Sequence, residues 1–182
     1  MEHCEHVMPV EHASSLTRWY RRLLQNPARM LNGQVRDGMV VLELGCGPGY
    51  FTPEIARRVG KSGKVIAADL QEGMLEIVRN KIRGTDIESR VELHKCEDDS
   101  IGVKEKVDLV VAFFVVHELP DKEKALKELK SILKPGGKVY INEFLMHPPK
   151  DKFGEMVDVA RSLGFVEVER HRFLISRAII LK

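Results

Sequence analysis

Val40-Val41-Leu42-Glu43-Leu44-Gly45-Cys46-Gly47-Pro48-Gly49-Tyr50-Phe51-Thr52 is the stretch that decides the fold. Its apolar run reads as a strand buried on both faces, as in the parallel sheet of an α/β protein. Glycines at 45, 47 and 49 let the chain turn tightly and leave bare main chain against which a ligand can lie. Thr52 followed by Pro53 is expected to cap and start a helix. Strand, glycine turn and helix in this order form a ligand cradle at the carboxyl end of a strand.

Helices and strands alternate on either side of this cradle. A helix over residues 53–59 is expected to stop at Gly60, and the strand Lys64–Asp69 ends in a carboxylate. Met74, Leu75, Val78 and Ile82 share one face of a helix over residues 71–83. A short strand over residues 90–94 leads into Cys96-Glu97-Asp98-Asp99. Residues 107–116 are the most apolar and should form a central strand that runs into His117-Glu118-Leu119-Pro120. Asp121 caps a helix to about Leu133, and Pro135-Gly136-Gly137 turns into a strand over residues 138–145. A helix over residues 150–163 closes at Gly164, and residues 165–169 and 173–181 read as two strands. With no helix between them these must pair antiparallel, because a parallel crossover needs about a dozen residues or more. The predicted fold is therefore α/β: a doubly wound, mostly parallel, seven-stranded sheet with a C-terminal antiparallel hairpin.

Ahead of this domain, residues 1–36 read as an arm with helices, and residues 37–182 as the ligand-binding domain. Leu16, Trp19, Tyr20, Leu23 and Leu24 recur at helical spacing after Ser14 and Ser15, and Asn26-Pro27 starts a second helix carrying Met30 and Leu31. The arm is the only spare chain, so it is expected to cover the pocket, with Trp19 and Tyr20 packing the first helix over the sheet, where they could also roof the pocket. Among 182 residues, 43% hydrophobic and 31% charged, 29 basic and 27 acidic side chains leave a net charge of +2. That balance lends no support to a nucleic-acid partner. Cys4, Cys46 and Cys96 form no even disulfide set and fit a reducing compartment. No apolar run approaches a membrane span and the N-terminus is too polar for a signal peptide, so a cytoplasmic protein without a membrane partner is expected. A homodimer is compatible with the sequence. His3, Cys4, His6 and His12 do not have the spacing of a metal finger, and no metal is expected.

The cradle excludes two nucleotide ligands. A triphosphate loop would end in Gly-Lys-Ser/Thr, which is absent, and a dinucleotide site needs G-x-G-x-x-G, where Tyr50 takes the place of the third glycine. Glu43, two residues before the first glycine, would repel a pyrophosphate but welcome an ammonium. A ligand with an amino-acid end, a ribose and an adenine satisfies these constraints. Glu43 would face its ammonium, Asp69 its ribose hydroxyls, and Glu97 its adenine amino group, with Asp98 and Asp99 as alternatives.

On these residues the chain resembles the class I S-adenosylmethionine-dependent methyltransferases. Residues 41–49 look like their first motif and residues 65–70 their second. Cys96-Glu97-Asp98 is similar to their adenine loop, and residues 133–138 to the turn before their fifth strand. The resemblance runs from about Asp37 to the C-terminus and implies the Rossmann-like methyltransferase fold. It looks closest to the small-molecule subgroup of quinone-biosynthesis and arsenite enzymes, although the cysteines an arsenite enzyme needs near the methyl group are missing. Cys96-Glu97 stands where many relatives have Gly-Asp, and no Asn-Pro-Pro-Tyr/Phe signature lies near Phe113. The resemblance implies S-adenosylmethionine as cofactor, a small-molecule acceptor, and Glu43, Gly45, Cys46, Gly47, Gly49, Asp69, Leu70, Met74, Glu97, Asp98 and Phe113 as cofactor-binding residues. Met74 could line the adenine, but its place on the helix favours the core, and Phe113 and Phe114 point to opposite faces of a strand. His117 could act as a base or orient the acceptor, or it could cap the next loop with a backbone hydrogen bond. Two other classes stand beside this one: a non-catalytic cofactor-binding regulatory module, and a nicotinamide oxidoreductase, which Glu43 and Tyr50 disfavour.

Overall fold

β1 (Val40–Leu44) runs parallel to two neighbours, with Val41 beside Val65 of β2 (Lys64–Asp69) and Leu109 of β4 (Val107–Phe113). The computed structural model describes residues 24–146 and 150–182. The arm with its histidines and Cys4, and nearly all of the helix expected from Ser14, lie outside these residues.

The sheet has seven strands in the order β3-β2-β1-β4-β5-β7-β6. β3 is Val91–Lys95, β5 Leu133–Phe144, β6 Glu167–Arg172 and β7 Ser176–Leu181. The four pairings from β3 to β5 are parallel, while β5 with β7 and β7 with β6 are antiparallel, as the hairpin reading required. From β1 the chain winds outward through β2 and β3, then returns to β4 on the other side. The glycine turn therefore sits where the strand order reverses, the place where open α/β sheets bind ligands.

Alternation along each strand divides the core between the two faces of the sheet. Leu42, Leu44, Val110, Ala112, Val139 and Ile141 face the helices α4 (Lys122–Ile132) and α5 (Lys150–Ser162). Val41, Val65, Leu109, Val111 and Tyr140 face α1 (Pro27–Met30), α2 (Thr52–Arg58) and α3 (Glu72–Ile82). The predicted inward residues of α3 are all buried, α4 buries Ala125, Leu126, Leu129 and Ile132, and Asp121 caps α4 by accepting the Lys124 N–H at 2.8 Å. Residues 24–36 are part of this second layer. Met30 and Leu31 are buried, the Tyr140 hydroxyl donates to the Met30 carbonyl at 3.0 Å, and the Tyr50 hydroxyl donates to the Gln25 carbonyl at 3.2 Å.

Four boundaries differ from expectation. Phe51, not Thr52, is the N-cap of α2, with no side-chain cap bond, and Thr52 is fully buried inside the helix. β4 stops at Phe113 because Phe114 takes φ 60°, the one positive value outside glycine among the described residues, and a 3₁₀ turn follows over Val116–Glu118. β5 begins at Leu133 and contains Pro135-Gly136-Gly137 as an irregularity, since Val107 pairs with Leu133 but Leu109 with Lys138. β6 and β7 start later than the hydrophobic pattern implied, and a bulge between Glu167 and Glu169 breaks the period of two.

Candidate active site

Glu43 reaches the carboxyl end of the sheet between Ala67 and Val111. It is only 3% exposed. Burial pushes its carboxyl up to about 8, helped by the charge of Asp69; the Thr52 hydroxyl and the Lys81 ammonium pull the other way. Among the described residues its Oε2 has no hydrogen-bond partner, and the Thr52 hydroxyl beside it makes no fully formed bond. A buried carboxylate with an orphaned oxygen is costly and is suited to an incoming cation or donor.

The loop after Glu43 turns through left-handed backbone at Gly45, Gly47 and Gly49, with φ 66°, 52° and 68°. At Gly45 a Cβ would also lie 2.3 Å from Val115 Cγ2, so neither backbone nor space admits a side chain. Asp69, at the tip of β2, holds this loop. Its Oδ2 accepts the Gly47 N–H at 2.8 Å, and its Oδ1 accepts the Gln71 N–H at 2.9 Å. Asp69 thus joins the glycine turn to the start of α3. Burial raises its carboxyl, while the amides of Gln71, Gly47 and Leu70 pull it down. From the last turn of α3, the Lys81 ammonium donates to the carbonyls of Pro48 and Gly49, the latter at 2.9 Å.

The other expected cofactor residues spread around this centre. The Cys46 side chain packs into the core with Phe51, its N–H donates to the Ala68 carbonyl at 3.0 Å, and burial holds its thiol well above the usual range. Leu70 is half-buried and Met74 fully buried. Glu97 and Asp98 are exposed beyond β3, where Glu97 bridges Ser100; Asp99 is engaged by Lys124 at 2.9 Å. Phe113 is enclosed by edge-on contacts with Phe51 and Tyr140, centroids 5.0 and 4.8 Å apart. Phe114 is a half-buried ring tilted against Phe144, centroids 4.3 Å apart, and its N–H donates to the Asn142 carbonyl at 2.7 Å.

His117 stands at the end of β4 on the 3₁₀ turn. Its Nδ1 is 2.8 Å from Glu143 Oε2, and its backbone N–H donates to Glu143 Oε1 at 3.1 Å. Burial lowers the imidazole, but Glu143 and then Glu118 outweigh it, and the net shift is upward. Glu118, half-buried, is pushed up to about 7 by burial, with Asp69 and Glu143 adding and His117 opposing.

Sequence reasoning did not find Glu143, Lys81, Asn142 or Ser176. Glu143 is 1% exposed in a strand whose other buried positions are mostly apolar, which was the available signal. Asn142 and Ser176 are fully buried, and their side chains have no hydrogen-bond partner among the described residues. They lie on the same face of β5 and β7, since Asn142 pairs with Ala178 and Phe144 with Ser176.

A doubly wound sheet with a glycine cradle and two carboxylates at its switch point defines an open α/β ligand-binding domain. The family follows from comparison: the chain matches the methyltransferase domain family over residues 41–137, more than half its length, and belongs to it. It is 36% identical over 111 residues to the ubiquinone/menaquinone biosynthesis C-methyltransferase UbiE of Idiomarina loihiensis, covering 60% of this chain and 44% of that one. The chain thus spans less than half the length of this relative and of the similar one from Cronobacter sakazakii. A SAM dependent methyltransferase from Aquifex aeolicus superposes with a TM-score of 0.87 at 25% identity, over 96% of this chain and 98% of that chain. A TehB-like SAM-dependent methyltransferase from Corynebacterium glutamicum shares the fold, with a TM-score of 0.74 at 16% identity over 96% and 99%.

Proposed function

We propose that this chain transfers a methyl group from S-adenosylmethionine to a small-molecule acceptor. The observation that carries this reading is Glu43: buried, raised, and left with an orphaned oxygen beside a glycine loop that no side chain could occupy. The residues fit the cofactor. Glu43 takes its ammonium, the amides of the 45–49 turn approach its amino-acid end, Asp69 and Leu70 border its ribose, and Glu97 and Asp98 its adenine. Met74, Cys46 and Phe113 act beneath this layer as packing. When bound, the cofactor supplies an electrophilic methyl group on a positively charged sulfur.

His117 serves the acceptor. Glu143 fixes the ring by accepting at Nδ1, and the other ring nitrogen is the one that takes a proton from an acceptor that arrives protonated. Phe114 and Phe144 wall the same end and keep water from the displacement, where alignment and exclusion of solvent do most of the work. The segment ahead of residue 37 closes the pocket and selects the acceptor. Deleting residues 1–13 should leave cofactor binding intact and impair turnover; unchanged turnover would refute that role. That the relatives are named as C-methyltransferases of ubiquinone/menaquinone biosynthesis supports a small organic acceptor. Incubating extract with the protein and isotope-labelled S-adenosylmethionine, then searching for labelled small molecules by mass spectrometry, tests the whole reading. A label that stays on the cofactor in every extract would count against it.

A further inference from the structure

Glu97 and Asp98, which border the adenine in the reading above, are exposed on a tight turn beyond β3. The Glu97 N–H donates to the Ser100 carbonyl at 3.0 Å and the Ser100 N–H to the Glu97 carbonyl at 3.4 Å, so Asp98 and Asp99 form the tip of the turn. At its start the Cys96 N–H donates to the Asp69 carbonyl at 2.9 Å. That bond ties the turn to the residue whose carboxyl also holds the glycine loop.

The far end of the turn is held by α4. Glu128 Oε2 accepts the Ile101 N–H at 2.8 Å and the Ser100 hydroxyl at 3.3 Å. His94 of β3 takes the carbonyl of the same residue: its Nε2 lies 2.7 Å from the Ile101 oxygen, so that nitrogen carries the hydrogen. The Ile101 side chain is buried in the core on the α4 side of the sheet. Ile101 is thereby fixed at its N–H, its carbonyl and its side chain. A second tie from α4, Lys124 to Asp99 at 2.9 Å, joins two exposed groups and is screened by water. Glu128 is half-buried, and a carboxylate accepting a main-chain N–H makes a short, charge-assisted bond. Of the two ties, Glu128 is the stronger.

An exposed turn left to itself samples many arrangements, and a ligand that binds it must meet the cost of ordering it. Fastening the turn in the folded chain removes that cost beforehand. We propose that Glu128 is a positioning residue for the cofactor's base: through Ser100 and Ile101 it holds Glu97 and Asp98 where a carboxylate can accept from the amino group of adenine. The inference rests on the adenine reading of Glu97 and Asp98 and adds selectivity to it. Adenine presents a donor at that position, whereas hypoxanthine presents a carbonyl oxygen that a carboxylate repels. A fastened turn tells the two bases apart, and a loosened one does not.

Calorimetry with S-adenosylhomocysteine and S-inosylhomocysteine, which differ only in the base, tests this. The parent chain should bind the adenosyl ligand at least about tenfold more tightly, the effect of one polar contact made or missed. Glu128→Ala should weaken the adenosyl ligand about tenfold and leave the inosyl ligand within about twofold, so that the selectivity disappears. Glu128→Gln keeps an acceptor oxygen and loses the charge, and its selectivity should fall to about threefold. That variant carries the test where Glu128→Ala unfolds too readily to titrate. Equal weakening of both ligands, the signature of a merely structural role, or parent-like selectivity in both variants would overturn the proposal. A parent that binds neither ligand overturns the cofactor reading itself. A parent that binds both equally leaves that reading standing but removes the base contact, and with it the role of Glu128.

Discussion

The imidazole of His117 and the carboxylate of Glu143 meet at 2.8 Å across the ends of β4 and β5, and Glu143 also accepts the backbone N–H of His117 at 3.1 Å. Both oxygens of one buried carboxylate are therefore spent on one residue. The pair fixes ring orientation and raises the imidazole against the opposing effect of burial.

Glu143→Gln should lower turnover about a hundredfold, the lower end of general-base effects, with S-adenosylmethionine affinity unchanged. The sign of the pH effect follows from charge. A base must be unprotonated, so the acid limb of the rate profile lies above the ordinary histidine value in the parent. Loss of the Glu143 charge lets the imidazole fall and moves that limb to lower pH. Stability follows the same raised value: the histidine's contribution is fully present below its ordinary value of about 6.5 and is lost as pH rises through the folded one. Rate profiles and melts of both proteins from pH 5 to 9 check this, and an acid limb that stays in place would contradict it.

Glu43→Gln should separate stability from binding. The folded carboxyl is raised, so the folded state holds a proton the unfolded state has lost, and stability falls as pH rises between about 4.5 and about 8. Removing the charge with an isosteric amide should raise stability at pH 8 by more than about 1 kcal/mol, read by denaturant titration, while cofactor affinity drops.

Much of this arrangement was legible in the sequence. The glycine turn, the carboxylates at positions 43 and 69, and the terminal hairpin follow from spacing and from the residues that cannot sit beside phosphate. The pairing of His117 with Glu143 was not, because strands far apart in sequence bring the two together and no local period records it. Thr52 misled for a physical reason. Its sequence context is that of a cap, yet its hydroxyl is turned inward beside Glu43, and tertiary demand overrode the local signal. The end of β4 escaped likewise, since nothing in Phe113-Phe114-Val115 marks a left-handed residue.

Asp69→Asn should keep the fold and lose the cofactor. An amide oxygen still accepts one of the two N–H groups from Gly47 and Gln71, so the melt should fall by only about 1 kcal/mol. Asp69→Ala removes both acceptors and should cost about 1–3 kcal/mol. Calorimetric affinity for S-adenosylmethionine should fall tenfold or more in both, about the value of one charge-assisted bond. Retained affinity in the asparagine variant would remove Asp69 from the site.

Asn142→Leu tests whether buried polarity is held for the acceptor. Both side-chain amide atoms lack partners among the described residues, so an apolar replacement of similar size should stabilise the protein by about 1 kcal/mol. Turnover should drop while cofactor affinity stays constant. A melt that falls by more than 1–2 kcal/mol, about the cost of poor packing, would show that the amide serves the fold instead.

The most direct measurement is titration of S-adenosylmethionine, and separately of NAD, into the parent chain and Glu43→Gln at pH 6, 7 and 8. The parent should bind S-adenosylmethionine and not NAD, with affinity rising toward pH 8 as Glu43 gives up its proton to meet the ammonium. Glu43→Gln should bind more weakly and without that pH dependence. Binding of NAD in preference to S-adenosylmethionine, or equal affinities for the parent and Glu43→Gln at every pH, would contradict the assignment of this site.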